Sequence, residues 1–155
     1  MATKTAKKEQ EQTLTELLNR QVANWAVLYI KIHQHHWFVK GSQFFDLHIK
    51  FEEFYKEADQ YFDQIAERIL ALDGEPLSTM KEYLQAASIK ETEPLSSAEE
   101  MVKALVQDFT TVIDEMGETM DAAESRGDDG TADMLLQIRT ALEKHVWMLR
   151  SYVSK

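Results

Sequence analysis

Apolar residues recur at three- and four-residue steps along most of the chain. Leu14, Leu17, Leu18, Val22, Trp25, Tyr29 and Ile32 mark one face of a long amphipathic helix over about residues 10–38. His36, four residues beyond Ile32, continues that stripe and is expected to point inward. Gly41 and Ser42 break the pattern, with Ser42 placed to cap the next helix. Phe44, Leu47, Phe51, Tyr55, Ala58, Phe62, Ile65 and Ile69 predict that second helix over about 43–72, ended by Asp73, Gly74 and Pro76. A short helix is predicted over 80–87, inside the connection to the third. Pro94-Leu-Ser-Ser-Ala-Glu opens this third long helix, with Ser96 and Glu99 as a capping box, and it runs to about Ser125. Gly127-Asp-Asp-Gly130 is a turn. Thr131 starts the last helix, whose stripe is Met134, Leu135, Ile138, Ala141, Leu142, His145, Val146 and Leu149.

Four long helices, two short turns and one long middle connection predict an all-α fold. The pattern is that of a ferritin-like four-helix bundle, with a long crossover containing a short helix between helices 2 and 3. Residues 1–9 are expected to be a flexible tail and residues 10–155 the bundle. At 155 residues the chain is long enough for a core without staples. The absence of cysteine excludes disulfides, zinc–thiolate sites, iron–sulfur clusters and thiol catalysis. No run approaches the roughly 18 apolar residues of a membrane span, and MATKTAKKEQEQ has no signal-peptide core, so a cytosolic location is expected. The net charge of −10 argues against a free duplex-binding protein and suits a surface or cavity that gathers cations.

The stretch from His36 to Arg68 carries the chemistry. It places histidines and several carboxylates on helix faces that also carry large apolar side chains. Nitrogen and oxygen ligands on a buried helix face point to a transition metal, with iron the best match. His48 and Asp63 are 15 residues apart, roughly 22 Å along one helix. If both bind one ion, they come from different subunits and the protein is an oligomer. Residue type alone does not choose Asp63 over Asp59. No Glu is followed by His three positions later, so the motif of an intra-bundle di-iron site is missing and the middle of the bundle is expected to be apolar and free of metal.

His36-Trp37, Gly41, Phe44, Leu47-His48, Phe51-Glu52, Tyr55, Asp63, Ala66-Glu67-Arg68, Leu72 and Gly74-x-Pro76 together resemble the Dps family, ferritin-like proteins of starved cells that form hollow twelve-subunit shells. Met80-Lys-Glu-Tyr and His145-Val-Trp147-Met-Leu extend the resemblance over nearly the whole chain. A lone His-Trp pair would mean nothing; the combined pattern is specific. The resemblance implies a ferroxidase, with two irons per inter-subunit site. Its ligands would be His36, His48 and Glu52 from one subunit, and Asp63 and Glu67 from a two-fold neighbour. It further implies hydrogen peroxide, in preference to dioxygen, as the oxidant of Fe(II), ferric mineral stored in a dodecamer, and protection of DNA. Glu124, Asp129 and Asp133 are implied pore-lining residues at the three-fold axes, where symmetry copies would attract cations.

Plainer readings exist for each residue. A lone histidine on an apolar stripe is more often a hydrogen-bonded core residue than a ligand; the joint pattern reverses that for His36 and His48. His33 and His35 read as surface residues or as supports behind the ligands, and His145 as an interface residue. Asp63 and Glu67 could be a solvated face, with Glu67 paired to Arg68 or a neighbour's lysine. Asp128, Asp129 and Asp133 surround a helix N-terminus, where carboxylates are favoured in any case. Trp37 would pack on the site or take up a stray oxidising equivalent. Trp25 and Trp147 read as packing anchors, and Tyr55 and Phe62 as core filler. Lys4, Lys7 and Lys8 are offset by Glu9 and Glu11, so weak or no DNA binding is expected at physiological salt. A DNA-compacting protein with a secondary metal site is the competing reading, and a metal-free helical scaffold the third.

Overall fold

The structure is a computed structural model that describes residues 4–154, with side chains from Thr13 onward. Its elements are α1 (Lys4–Phe38), α2 (Phe44–Ala71), α3 (Met80–Ala86), α4 (Ala98–Ser125) and α5 (Asp129–Val153), with no strand among the described residues. This is the all-α four-helix arrangement with a short helix in the crossover. α1 begins earlier than the expected residue 10. The tail expected at 1–9 falls on residues that lie partly outside the described ones, and the Lys4, Lys7 and Lys8 side chains lie outside them altogether.

α1 packs against α2, α3 and α4, and α4 packs against α5. That central position explains why α1 is buried over more than one stripe: Gln21 to Trp25, then Val27 and Leu28, are all inaccessible. Trp25 is the hub, with its ring 5.0 Å from Tyr61 and 6.3 Å from Phe109. Each large side chain buried this way contributes about 1.5–3 kcal/mol of transfer free energy. Trp147, expected as a packing anchor, is instead 64% exposed on α5.

The interior is not apolar throughout, contrary to expectation. Asn24 Nδ2 and Gln21 Nε2 both donate to Glu115 Oε1, at 2.9 and 3.0 Å. Asn24 Oδ1 accepts from the backbone N–H groups of Ser88 and Ile89, at 2.8 and 3.3 Å. Lys31 Nζ reaches Asp108 Oδ2 at 2.7 Å and donates to the Lys90 carbonyl at 2.9 Å. Asn19 accepts from Leu77 N–H and donates to the Glu75 carbonyl. The polar side chains of α1 therefore pin the crossover at both ends, satisfying backbone groups that a long irregular segment would otherwise leave unpaired.

Three helix starts differ from expectation by a residue or two. α2 is preceded by Gln43, not Ser42, and has no side-chain cap; Gly41 supplies the turn with φ 101°. Ser97, not Ser96, caps α4 by accepting from Glu100 N–H, while Glu100 accepts from the N–H and hydroxyl of Ser96. Asp128 caps α5 by accepting from Thr131 N–H, so Asp129, Gly130 and Thr131 belong to the helix rather than to a turn before it. Among the described residues no helix is long and apolar enough to cross a membrane.

Candidate metal centre

His36 closes α1 and His48 lies in the first turns of α2. Their rings stack at 3.7 Å with planes 13° apart. His36 Nδ1 donates to the His48 carbonyl at 2.7 Å, and His48 Nδ1 donates to the His36 carbonyl at 2.8 Å. A carbonyl only accepts, so both Nδ1 atoms carry the hydrogen and, in the neutral rings, both Nε2 atoms keep their lone pairs. Fixing the tautomer through the other ring nitrogen is what protein metal sites do to their histidines. His36 is buried and His48 half-buried, with Phe44 stacked at 4.8 Å on the outer side of His48.

Glu52 follows one turn after His48 on the same face. Tyr55 donates its phenol O–H to Glu52 Oε1 at 3.3 Å, and Lys56 Nζ lies 3.4 Å from Oε2. Lys56 chiefly, with Tyr55 and the His36 ring contributing, holds the Glu52 carboxyl below its ordinary range, so it is an anion at neutral pH. Burial and the Glu52 charge push the Tyr55 phenol up, so it remains a donor.

Asp63 and Glu67 are exposed, one turn apart, further along α2. A hydrogen bond to Asp63 and then the charge of Asp63 raise the Glu67 carboxyl above its ordinary range. Two carboxylates held this close take up a proton or a cation more readily than either alone. α2 is one uninterrupted helix, so Asp63 stays roughly 22 Å along it from His48. One chain therefore brings His36 and His48 together, with Glu52 one turn along α2 from His48, and carries Asp63 with Glu67 elsewhere. Among the described residues, no three His, Asp or Glu side chains of one chain are grouped so as to hold a metal ion.

Of the two readings of His35, a surface residue or a support behind the ligands, the surface one is excluded: the side chain is fully buried against Phe51, with neither ring nitrogen hydrogen-bonded. Burial, then Lys31, lowers its pKa to about 4, so it is neutral. His33 is half-buried; its Nδ1 donates to the Tyr29 carbonyl at 2.6 Å and its ring stacks on Tyr55 at 3.7 Å. His145 both packs and hydrogen-bonds: its ring lies 4.8 Å from Phe54 and its Nε2 donates to Glu57 Oε2 at 2.7 Å. Trp37 is 65% exposed, and its ring is 5.3 Å from His33. Tyr55 reads as core filler from periodicity. Its spacing of three from Glu52 and seven from His48 is the signal that it belongs to the centre.

Glu124 lies in the last turn of α4, Asp129 opens α5 and Asp133 follows one turn later; all three are exposed at the same end of the bundle. Asp133 accepts from Gln137. Asp128 is committed elsewhere, to Thr131 and to Arg68.

The ferritin-like domain family model matches residues 15–155. DNA protection during starvation protein 2 of Bacillus anthracis is 50% identical over 140 residues, covering 90% of this chain and 96% of that one. The crystal structure of a Dps protein from Bacillus brevis superposes with a TM-score of 0.93 at 48% identity, covering 94% of this chain and 98% of that one. A Dps structure from Vibrio cholerae, described as a member of a broad superfamily of ferritin-like diiron-carboxylate proteins, gives a TM-score of 0.91 at 34% identity, with 94% and 92% covered.

Proposed function

The chain belongs to the Dps proteins of the ferritin-like family, and from that premise we propose that it oxidises Fe(II) at sites shared between two subunits and stores the ferric product inside a hollow oligomer. The observation that carries this reading is the reciprocal bond between His36 and His48. It holds two imidazoles parallel with both Nε2 lone pairs free, beside the anionic Glu52. The complementary pair, Asp63 and Glu67, belongs to the same helix but is out of reach within one chain. A two-fold neighbour supplies it, which makes the site an inter-subunit one and the protein a homo-oligomer, a dodecamer by resemblance.

Iron is the substrate and the cargo. Imidazole and carboxylate suit Fe(II), and the added carboxylates favour Fe(III) once formed. Two Fe(II) bound side by side each give one electron to hydrogen peroxide; with two protons this forms two Fe(III) and two waters and releases no hydroxyl radical. Dioxygen is the slower alternative acceptor. Removing Fe(II) and peroxide together would protect DNA without binding it, in a cytoplasmic protein. Glu124, Asp129 and Asp133 would line the pore through which cations enter.

The test is anaerobic Fe(II) loading followed by peroxide or air, with ferric absorbance and particle mass recorded together. Rapid oxidation at about half an equivalent of peroxide per iron, in a roughly twelve-subunit particle, is the expected result. An intact shell that oxidises iron no faster than buffer would overturn the reading and favour DNA compaction or a scaffold.

A further inference from the structure

Tyr55 is held on three sides. Its ring stacks on His33 at 3.7 Å with planes 23° apart, meets the His36 ring edge-on at 5.3 Å, and meets Tyr29 edge-on at 6.3 Å. His33 is itself fixed by its bond to the Tyr29 carbonyl. This clamp leaves the phenol one direction to point, and it donates to Glu52 Oε1 at 3.3 Å.

The other Glu52 oxygen faces a different kind of partner. Lys56 Nζ stands 3.4 Å from Oε2, on a side chain that is 66% exposed. An exposed pair spaced by four on a helix stabilises by only about 0.3–0.5 kcal/mol and fixes no particular rotamer. Glu52 therefore hangs between a rigid donor on the histidine side and a mobile cation on the solvent side. Removing the phenol would leave the lysine alone to orient the carboxylate.

We propose that Tyr55 is a positioning residue of the iron site, its phenol holding the Glu52 carboxylate on the side of the His36 and His48 imidazoles against the outward draw of Lys56. The inference rests on the iron-site reading, in which Glu52 is a ligand. Tyr55 touches no metal in this scheme; it acts through Glu52.

The experiment uses full-length assembled protein and Co(II), which binds nitrogen and oxygen ligands without being oxidised and reports its coordination in visible absorption. Tyr55→Phe keeps the ring and its stacking and removes only the donor. Its Co(II) dissociation constant is expected to rise about three- to tenfold, with altered visible bands. The KM for Fe(II) should rise in step, with kcat within about twofold and an unchanged melting temperature. In a Lys56→Ala background the same Tyr55→Phe change should cost less, because the competing pull is gone; a double-mutant cycle measures that coupling. Tyr55→Phe protein that binds Co(II) and oxidises Fe(II) like the parent would overturn the proposal, as would an equal cost with and without Lys56. Parent protein that binds no Co(II) would bring down the iron-site reading itself, which is a different outcome.

Discussion

Arg68 on α2 and Asp128 at the head of α5 form a 2.9 Å ion pair that ties the Asp63–Glu67 end of α2 to the turn bearing Glu124, Asp129 and Asp133. Arg68 Nε also donates to Thr131 Oγ1 at 2.9 Å, so one guanidinium braces the cap and the first turn of α5. Arg68 is thus spoken for by the neighbouring helix, not by Glu67. Gly130 leaves it room: a Cβ there would stand 2.9 Å from Arg68 Nη2.

Arg68→Gln should lower stability by about 1–2 kcal/mol at neutral pH, the range for charge-assisted hydrogen bonds that stay partly solvated. Burial pushes the Asp128 carboxyl up, but Thr131 and Arg68 together hold it below its ordinary 3.8. A depressed folded-state pKa stabilises above the unfolded value and is lost as pH falls through the folded one. The penalty of Arg68→Gln should therefore be full near pH 7 and shrink below about pH 4. Urea denaturation of parent and variant across that range checks it; a penalty that does not vary with pH would refute the charge argument.

Ser97→Ala should destabilise by about 1 kcal/mol, because it leaves the Glu100 N–H without its cap. Ser96→Ala should cost less, since Ser96 N–H still reaches Glu100 when the hydroxyl is gone. Paired denaturation curves order the two.

His35→Leu should raise stability by about 1–2 kcal/mol, by replacing two buried unpaired ring nitrogens with an apolar side chain among apolar neighbours. A fall in the denaturation midpoint would mean that the ring has a partner in the assembled protein.

His36→Gly and His48→Gly should each slow Fe(II) oxidation at least about tenfold while assembly, read by particle mass, persists. Each ring donates to the other's main-chain carbonyl, which glycine keeps, so the surviving ring retains its acceptor and loses only its stacking partner. Both rings serve one proposed site, so the double variant should be scarcely slower than either single one, a non-additivity typical of groups that act as a unit.

Much of the fold was legible in the pattern of apolar residues. The stripe through Phe51, Ala58, Ile65 and Ile69 is the buried face of α2, and Met80 does open a short helix in the crossover. The stripe left His35 between two readings because α1 has neighbours on several sides, and a single stripe of period 3.6 describes a helix buried on one. Asn24 and Gln21 are not part of the apolar stripe, yet Asn24 anchors the crossover and Gln21 joins it on Glu115 of α4, and only the fold brings Ser88, Ile89 and Glu115 to them. The cap of α4 slipped by a residue because Ser96 and Ser97 are both competent side chains, and the choice depends on backbone geometry: Ser97 has the extended backbone of a cap and accepts from Glu100 N–H. At the centre, His36 and His48 stood out only through the combined pattern that resembles the Dps family, and their mutual Nδ1 bonds join residues on two different helices, which no single-helix periodicity contains.

α2 carries His48 near its start and Asp63 and Glu67 nearer its end, which has a consequence for inheritance. In the proposed site, with its two-fold axis, each subunit would give histidines to one site and carboxylates to its twin. A chain stripped of His36 and His48 and a chain stripped of Asp63 and Glu67, each inactive alone, should in a mixed pair rebuild one complete site and leave the other with Glu52 alone. Co-expressing them should restore oxidation. A chain carrying both lesions should do the reverse: paired with an intact copy it leaves each of the two sites with half its ligands, and the intact allele is silenced by its partner.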